Sequence, residues 1–98
     1  MMHSQSYLFL LLNIEGYYDL KKLSGRGICG IRSAIYTVDL CYGCDTEGFQ
    51  GRYCFATSDE ARKSLKDWDG QGDPPGNWIK HKGVSEYLNP NYERATAS

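Results

Sequence analysis

Two stretches of alternating apolar and polar residues, joined by a short loop, constrain the fold of this chain more than any other feature. In the first stretch, IRSAIYTVDLCYGC, the apolar residues fall at even positions: Ala34, Tyr36, Val38, Leu40 and Tyr42. In the second, FQGRYCF, they fall at odd positions: Phe49, Tyr53 and Phe55. Alternation of this kind is typical of β-strands that bury one face.

The loop between the two stretches predicts how they pair. If the four residues DTEG form the connection, Leu40 lies opposite Tyr53 and Val38 lies opposite Phe55. Both apolar rows then share one face, whereas a shift of one residue would expose one row to water. We therefore predict an antiparallel hairpin of residues 31–43 and 49–56.

A helix should follow the hairpin directly. Thr57 is a suitable N-cap, and Glu60 three residues later completes a capping box. Ala61, Leu65 and Trp68 recur at helical spacing and form one apolar stripe. We predict an amphipathic helix at about residues 58–68, packed on the apolar face of a small antiparallel sheet. The predicted fold class is α+β.

The chain is long enough for one domain, since it has 98 residues. We assign residues 27–90 to a single α+β domain, residues 1–26 to an N-terminal extension and residues 91–98 to a C-terminal tail. The apolar run at residues 7–12 lacks a preceding basic residue and a cleavage pattern, and it is shorter than the about 20 residues of a membrane span. We expect a buried strand, a short helix or an appended segment there.

The four cysteines raise the question of a metal site. Cys41 and Cys44 have the spacing of a zinc half-site, and Cys29 and Cys54 are available to complete a four-cysteine set. In an extended strand, however, Cys41 and Cys44 point to opposite faces. We expect no metal and no other cofactor, with thiols kept reduced in a cytosol. A zinc-stabilised module is the alternative.

The sequence offers little catalytic chemistry. A nucleophile needs a base beside it, and the two histidines are His3, near the terminus, and His81. We expect a protein that is not an enzyme. The formal net charge of −1 provides no global attraction for nucleic acid or an anionic membrane. Eight tyrosines suit exposed contact surfaces, because each has a rigid apolar ring and a polar tip.

The segment WDGQGDPPGNWIKHKG holds the strongest candidate binding residues. Alternation predicts Ile79 and His81 on one side of a strand, with Trp78, Lys80 and Lys82 on the other. Trp78 either covers the core or is exposed in a basic and aromatic edge. That edge would bind an acidic partner or single-stranded nucleic acid. The candidate binding residues are Arg52, Tyr53, Trp78, Lys80, His81 and Lys82.

Several motifs between Gly27 and Pro90 carry a resemblance: GICG, RYCF, EARxxLxxWDGxGDPPGxWIKxKG and LNP. Together they resemble a group of small proteins from bacteriophages and prophages of proteobacteria, over about two-thirds of the chain. In that pattern the positions of Cys29 and Cys54 match, whereas those of Cys41 and Cys44 are usually aliphatic. The resemblance thus weakens the zinc interpretation and brings no established activity with it.

The resemblance implies a docking function, since small phage proteins of this kind commonly bind a host protein, often a defence complex. The leading hypothesis is a phage-encoded inhibitor in the host cytoplasm, with an anti-CRISPR or other anti-defence role as its specific form. The second is a nucleic-acid-binding accessory protein that uses the basic and aromatic edge. No membrane partner is expected.

Overall fold

The chain folds into one sheet with a helix on each face, as described by a computed structural model for residues 4–92, with side chains from residue 7 onward. The elements are α1 (Ser4–Ile14), β1 (Tyr18–Leu23), β2 (Gly27–Ser33), β3 (Val38–Tyr42), β4 (Gly51–Phe55), α2 (Ser58–Asp67), β5 (Lys80–Lys82) and β6 (Tyr87–Leu88). Each strand pairs antiparallel with the next one along the chain. The predicted α+β fold class is confirmed.

The predicted pairing of the central hairpin is also confirmed. In β3 and β4, Leu40 lies opposite Tyr53 and Val38 lies opposite Phe55. The loop has the predicted position, because Asp45 and Gly48 form an isolated bridge that closes it. The strands are shorter than predicted, since they cover Val38–Tyr42 and Gly51–Phe55.

The prediction of one continuous strand from residue 31 to residue 43 is wrong. The chain turns between β2 and β3, where the Ala34 N–H donates to the Thr37 carbonyl at 2.8 Å. Ile35 and Tyr36 lie at the tip of this turn and are 88% and 92% exposed. Because Ala34 and Tyr36 continue the apolar even positions, the alternating pattern ran through the turn and concealed it.

Helix α2 forms as the sequence predicts. The Glu60 N–H donates to Thr57 Oγ1 at 3.2 Å, so the N-cap is in place. Ala61, Leu65 and Trp68 are all buried against the sheet. They join the main core with residues of three strands and the loop after α2: Cys29, Ile31, Leu40, Tyr42, Tyr53, Phe55 and Trp78.

The N-terminal segment contributes to the same sheet. The apolar run at residues 7–12 lies in helix α1, and the sheet begins at Tyr18, because β1 pairs with β2. Helix α1 packs on the face opposite α2, in a second cluster of buried residues: Leu12, Tyr17, Ile28, Cys41 and Cys44. His3 and most of the predicted C-terminal tail lie outside the described residues. Within the described part of the chain, neither helix is long and apolar enough to cross a membrane.

Candidate binding face of the sheet

The sheet divides the six candidate binding residues into two groups. Tyr53, Trp78 and His81 are buried on the α2 side. Alternation along β4 and β5 places Arg52, Lys80 and Lys82 on the opposite side, since Arg52 pairs with Lys82, and Tyr53 with His81. The structure therefore brings the three cations together and separates them from the aromatic residues.

The predicted alternation is wrong for Trp78. Its side chain is 4% exposed and packs edge-on against Tyr53, with the ring centroids 5.1 Å apart. Strand β5 begins only at Lys80, so the two-residue period does not extend back to Trp78. This position agrees with the interpretation in which Trp78 covers the core.

On the face opposite α2, side chains of four strands form two rows. The first row consists of residues paired directly across β2, β3, β4 and β5: Arg32, Asp39, Cys54 and Lys80. The second row holds Cys41, Arg52 and Lys82. Helix α1 covers Cys41 at one end, and a groove of about 460 Å³ occupies the uncovered part. We call this uncovered part the open face.

Two cations of the open face are compensated by neighbouring carboxylates. Asp39 is only 3% exposed, and it accepts hydrogen bonds from Arg52 Nη1 at 2.9 Å and from Thr37 Oγ1 at 2.8 Å. Lys82 Nζ lies 3.2 Å from a carboxylate oxygen of Glu86. Arg52 and Lys82 therefore add little net charge to this surface.

Arg32 and Lys80 differ from these two. Among the described residues, neither takes part in an ion pair. The Arg32 guanidinium lies 5.2 Å from the ring centroid of Tyr17, while its charge stays accessible at the exposed end of β2. The first row thus has an uncompensated positive charge at each end.

Sequence reasoning missed Arg32, Asp39 and Phe49, which also line the groove. The signal for Asp39 was present, because it occupies a polar position of the alternating pattern, whereas the predicted strand placed Arg32 in the same strand and on its other face. Locating Arg32 required the turn at residues 34–37 that the pattern concealed. Phe49 was assigned to strand β4, but it precedes that strand.

On the other side of the sheet, His81 sits in a stack of aromatic rings. Its ring centroid lies 4.2 Å from that of Tyr53, and its Nε2 forms a 2.7 Å hydrogen bond with the Tyr42 hydroxyl. The hydroxyls of Tyr53 and Tyr87 both donate to Asp73 Oδ1 at 2.8 Å. These bonds fix the loop before the two prolines to the core.

Arg26 holds the first half of the same loop. Its guanidinium donates to the carbonyls of Gly70 and Gly72 at 3.0 and 2.8 Å, and it lies 4.8 Å from the ring of Trp68. The segment from Trp68 to Trp78 is therefore a structural connector. Its two tryptophans are buried in the core, and its loop is held there by hydrogen bonds from Arg26, Tyr53 and Tyr87.

Burial lowers the pKa of His81, and the nearby Arg26 lowers it further, while Asp73 opposes both effects. The folded protein therefore binds a proton at His81 less readily than the unfolded chain, whose histidines titrate near 6.5. We expect stability to fall as the pH drops below about 6.5, until His81 is protonated in the folded state as well.

Urea unfolding at pH 7.5, 6.5 and 5.5 measures this effect. His81→Phe keeps an aromatic ring in the stack but does not titrate, so the loss of stability between pH 7.5 and 5.5 should be smaller in this variant. An equal loss in both proteins would contradict the role assigned to His81.

The cysteines adopt an arrangement that the sequence analysis did not predict. Cys41 and Cys44 lie in the same buried cluster, so the expectation that they point to opposite faces is wrong. Gly43 has φ +64°, which bends the chain after β3, and the Cys44 N–H then donates to the Ile28 carbonyl at 2.9 Å. A glycine adopts this conformation without the steric cost that other residues pay.

Burial makes all four thiols poor nucleophiles. It raises the pKa of Cys29 and of Cys54 to about 11, that of Cys44 to about 12 and that of Cys41 further still. Since the thiolate is the reactive and metal-binding form, these side chains are inert at neutral pH. Across the described side chains, no three His, Cys, Asp or Glu residues are grouped so as to hold a metal ion.

Comparisons with family models, with curated proteins and with solved structures found no match to this chain. The geometry of the open face and the motifs of the sequence are therefore the observations that bear on function.

Proposed function

We propose that this chain is a small non-enzymatic binding protein that docks on another protein through the open face of its sheet. The observation that carries the proposal is the groove of about 460 Å³ with uncompensated positive charges, Arg32 and Lys80, at the two ends of one row. The resemblance to phage and prophage proteins supports a host protein as the partner. Inhibition of a host defence complex is the specific form of this function.

The chemistry of the remaining polar groups favours binding over catalysis. The thiols are buried with raised pKa values, and His81 is buried with its Nε2 bonded to Tyr42. A nucleophile needs a neighbouring base and access to substrate, and neither group meets both requirements. The open face, by contrast, is built on strands whose backbone is already ordered, so binding has only side chains to immobilise.

A protein partner fits the open face better than single-stranded nucleic acid does. Strong phosphate binding relies on several uncompensated cations, and the described residues of this face supply two. Nucleic acid also needs aromatic rings free for base stacking. The groove offers two aromatic rings, the exposed Tyr36 at the tip of the β2–β3 turn and Phe49, whose ring centroid already lies 6.0 Å from the Arg52 guanidinium, so few rings are free for stacking.

Affinity capture from a proteobacterial lysate tests the proposal with two matched variants. Arg32→Gln with Lys80→Glu alters the open face, and glutamine at position 32 avoids placing a carboxylate opposite Asp39. Lys63→Gln with Lys66→Glu makes the same change of charge on α2, on the far side of the sheet. We expect a captured protein to be retained by the wild type and the α2 variant and to be lost from the open-face variant.

Two controls complete the experiment. Thermal midpoints of both variants should stay close to that of the wild type, because the substituted side chains lie on the surface. Nuclease treatment should leave capture unchanged. Capture that depends on nucleic acid, equal capture by both variants, or no partner retained by the wild type would each overturn the proposal.

A further inference from the structure

We infer that the open face binds an extended, acidic segment of its partner, which crosses the strands and carries two carboxylates four residues apart. This inference rests on the proposed docking function and adds the chemistry of the partner. It follows from the positions of Arg32 and Lys80, from the groups between them and from the apolar rim of the groove.

The spacing of the two cations comes from the register of the sheet. Arg32, Asp39, Cys54 and Lys80 lie in one row across four adjacent strands. Neighbouring strands are about 4.8 Å apart, so three intervals separate the backbones of Arg32 and Lys80 by about 14 Å. In an extended peptide, residues four apart lie on the same side and are separated by about 13–14 Å. Carboxylates at those two positions match both cations at once.

The centre of the row suits an uncharged side chain. Asp39 is neutralised by Arg52 at 2.9 Å and is almost fully buried, and its neighbour Cys54 is a buried thiol with a raised pKa. The residue midway between the two carboxylates of an extended peptide faces this centre. An apolar or small residue is favoured there, since an additional carboxylate would find no unpaired cation.

The rim of the groove adds apolar contact area. Ile35 and Tyr36 stand at the tip of the β2–β3 turn, beside the Arg32 end of the row, and both line the groove. Phe49 lines it next to Arg52. Side chains that flank the carboxylates of the partner can pack on these residues, so the surface fits a short peptide segment better than a continuous chain of phosphates.

Peptide titration followed by amide chemical shifts tests the inference with the full chain. The first probe is a seven-residue peptide of alternating valine and threonine, with glutamate at its second and sixth positions. The second probe has the same two glutamates only two residues apart, and a third replaces both with glutamine. We expect the first peptide to bind about two- to fivefold more tightly than the second, which is the effect of one exposed ion pair.

The protein variants locate the site. Arg32→Gln with Lys80→Gln should weaken binding of the first peptide by about tenfold, the effect of losing two exposed ion pairs. Lys63→Gln with Lys66→Gln on α2 should leave it unchanged, and shift changes should centre on β2 to β5. Equal binding of the first two peptides, or an oligothymidine that binds more tightly than any peptide, would overturn the inference.

The two proposals fail in different ways. If no spacing preference appears but the open-face variant still loses its captured protein, the docking function stands and the acidic-segment partner is wrong. If the open-face variant captures its partner as well as the wild type does, the docking function itself is wrong.

Discussion

Leu65→Ala should lower the free energy of unfolding by about 2–5 kcal/mol, because it removes a fully buried side chain and leaves a cavity between α2 and the sheet. Urea unfolding monitored by tryptophan fluorescence measures the change, since Trp68 and Trp78 lie in the same core.

Lys63→Ala is the matched control on the same helix. Lys63 forms an exposed pair with Asp67 at 3.0 Å, and such pairs contribute at most a few tenths of a kcal/mol. Small and equal effects at the two positions would mean that α2 does not pack on the sheet through its apolar stripe.

Gly51→Ala should destabilise the fold by about 1–3 kcal/mol, because the first residue of β4 has no space for a side chain. A Cβ at Gly51 would overlap the Tyr42 hydroxyl, lie 2.5 Å from Cζ of the same ring and approach the Lys82 carbonyl oxygen to 2.9 Å. The Tyr42 ring is held in place by the 2.7 Å hydrogen bond to His81, so it does not simply move aside.

A double-mutant cycle with Tyr42→Phe isolates the cause. The phenylalanine lacks both the hydroxyl oxygen and the hydrogen bond to His81 that holds the ring, so its Cζ can move away from the new methyl group and the double variant should lose less stability than the sum of the two single changes. Thermal or urea unfolding of the four proteins gives the coupling energy. Strictly additive losses would show that the hydroxyl is not the obstacle.

The sequence predicts the centre of this fold well and its periphery poorly. The pairing of Leu40 with Tyr53 follows from two independent constraints, the alternating pattern and the loop length, and each confirms the other. Thr57 and the stripe containing Leu65 similarly define α2 through a local cap and a helical period. Such signals come from a few neighbouring residues, which is why one sequence suffices to identify them.

The errors arise where tertiary contacts override local pattern. Ile35 and Tyr36 are apolar but exposed in a turn, and Gly43 redirects Cys44 through a positive φ that no periodicity predicts. Three of the candidate binding residues, Arg52, Lys80 and Lys82, lie on one face of the sheet, and whether they bind a partner stays a prediction. Arg32 was missed, because its position depends on a hairpin that the alternation concealed.

The two outer strands of the sheet have a consequence for how copies of this chain behave towards one another. A strand with a long, straight row of unpaired amides invites a second chain to add to the sheet, and this is a common route to aggregation. The pairing of β1 with β2 shifts register between Tyr18 and Lys21, and Asp19 within this irregularity has φ +56°. The outward-facing amides of β1 therefore do not form a straight row. At the opposite border, β6 contains only two residues. Both borders therefore discourage sheet extension, so concentrated protein should resist fibre formation.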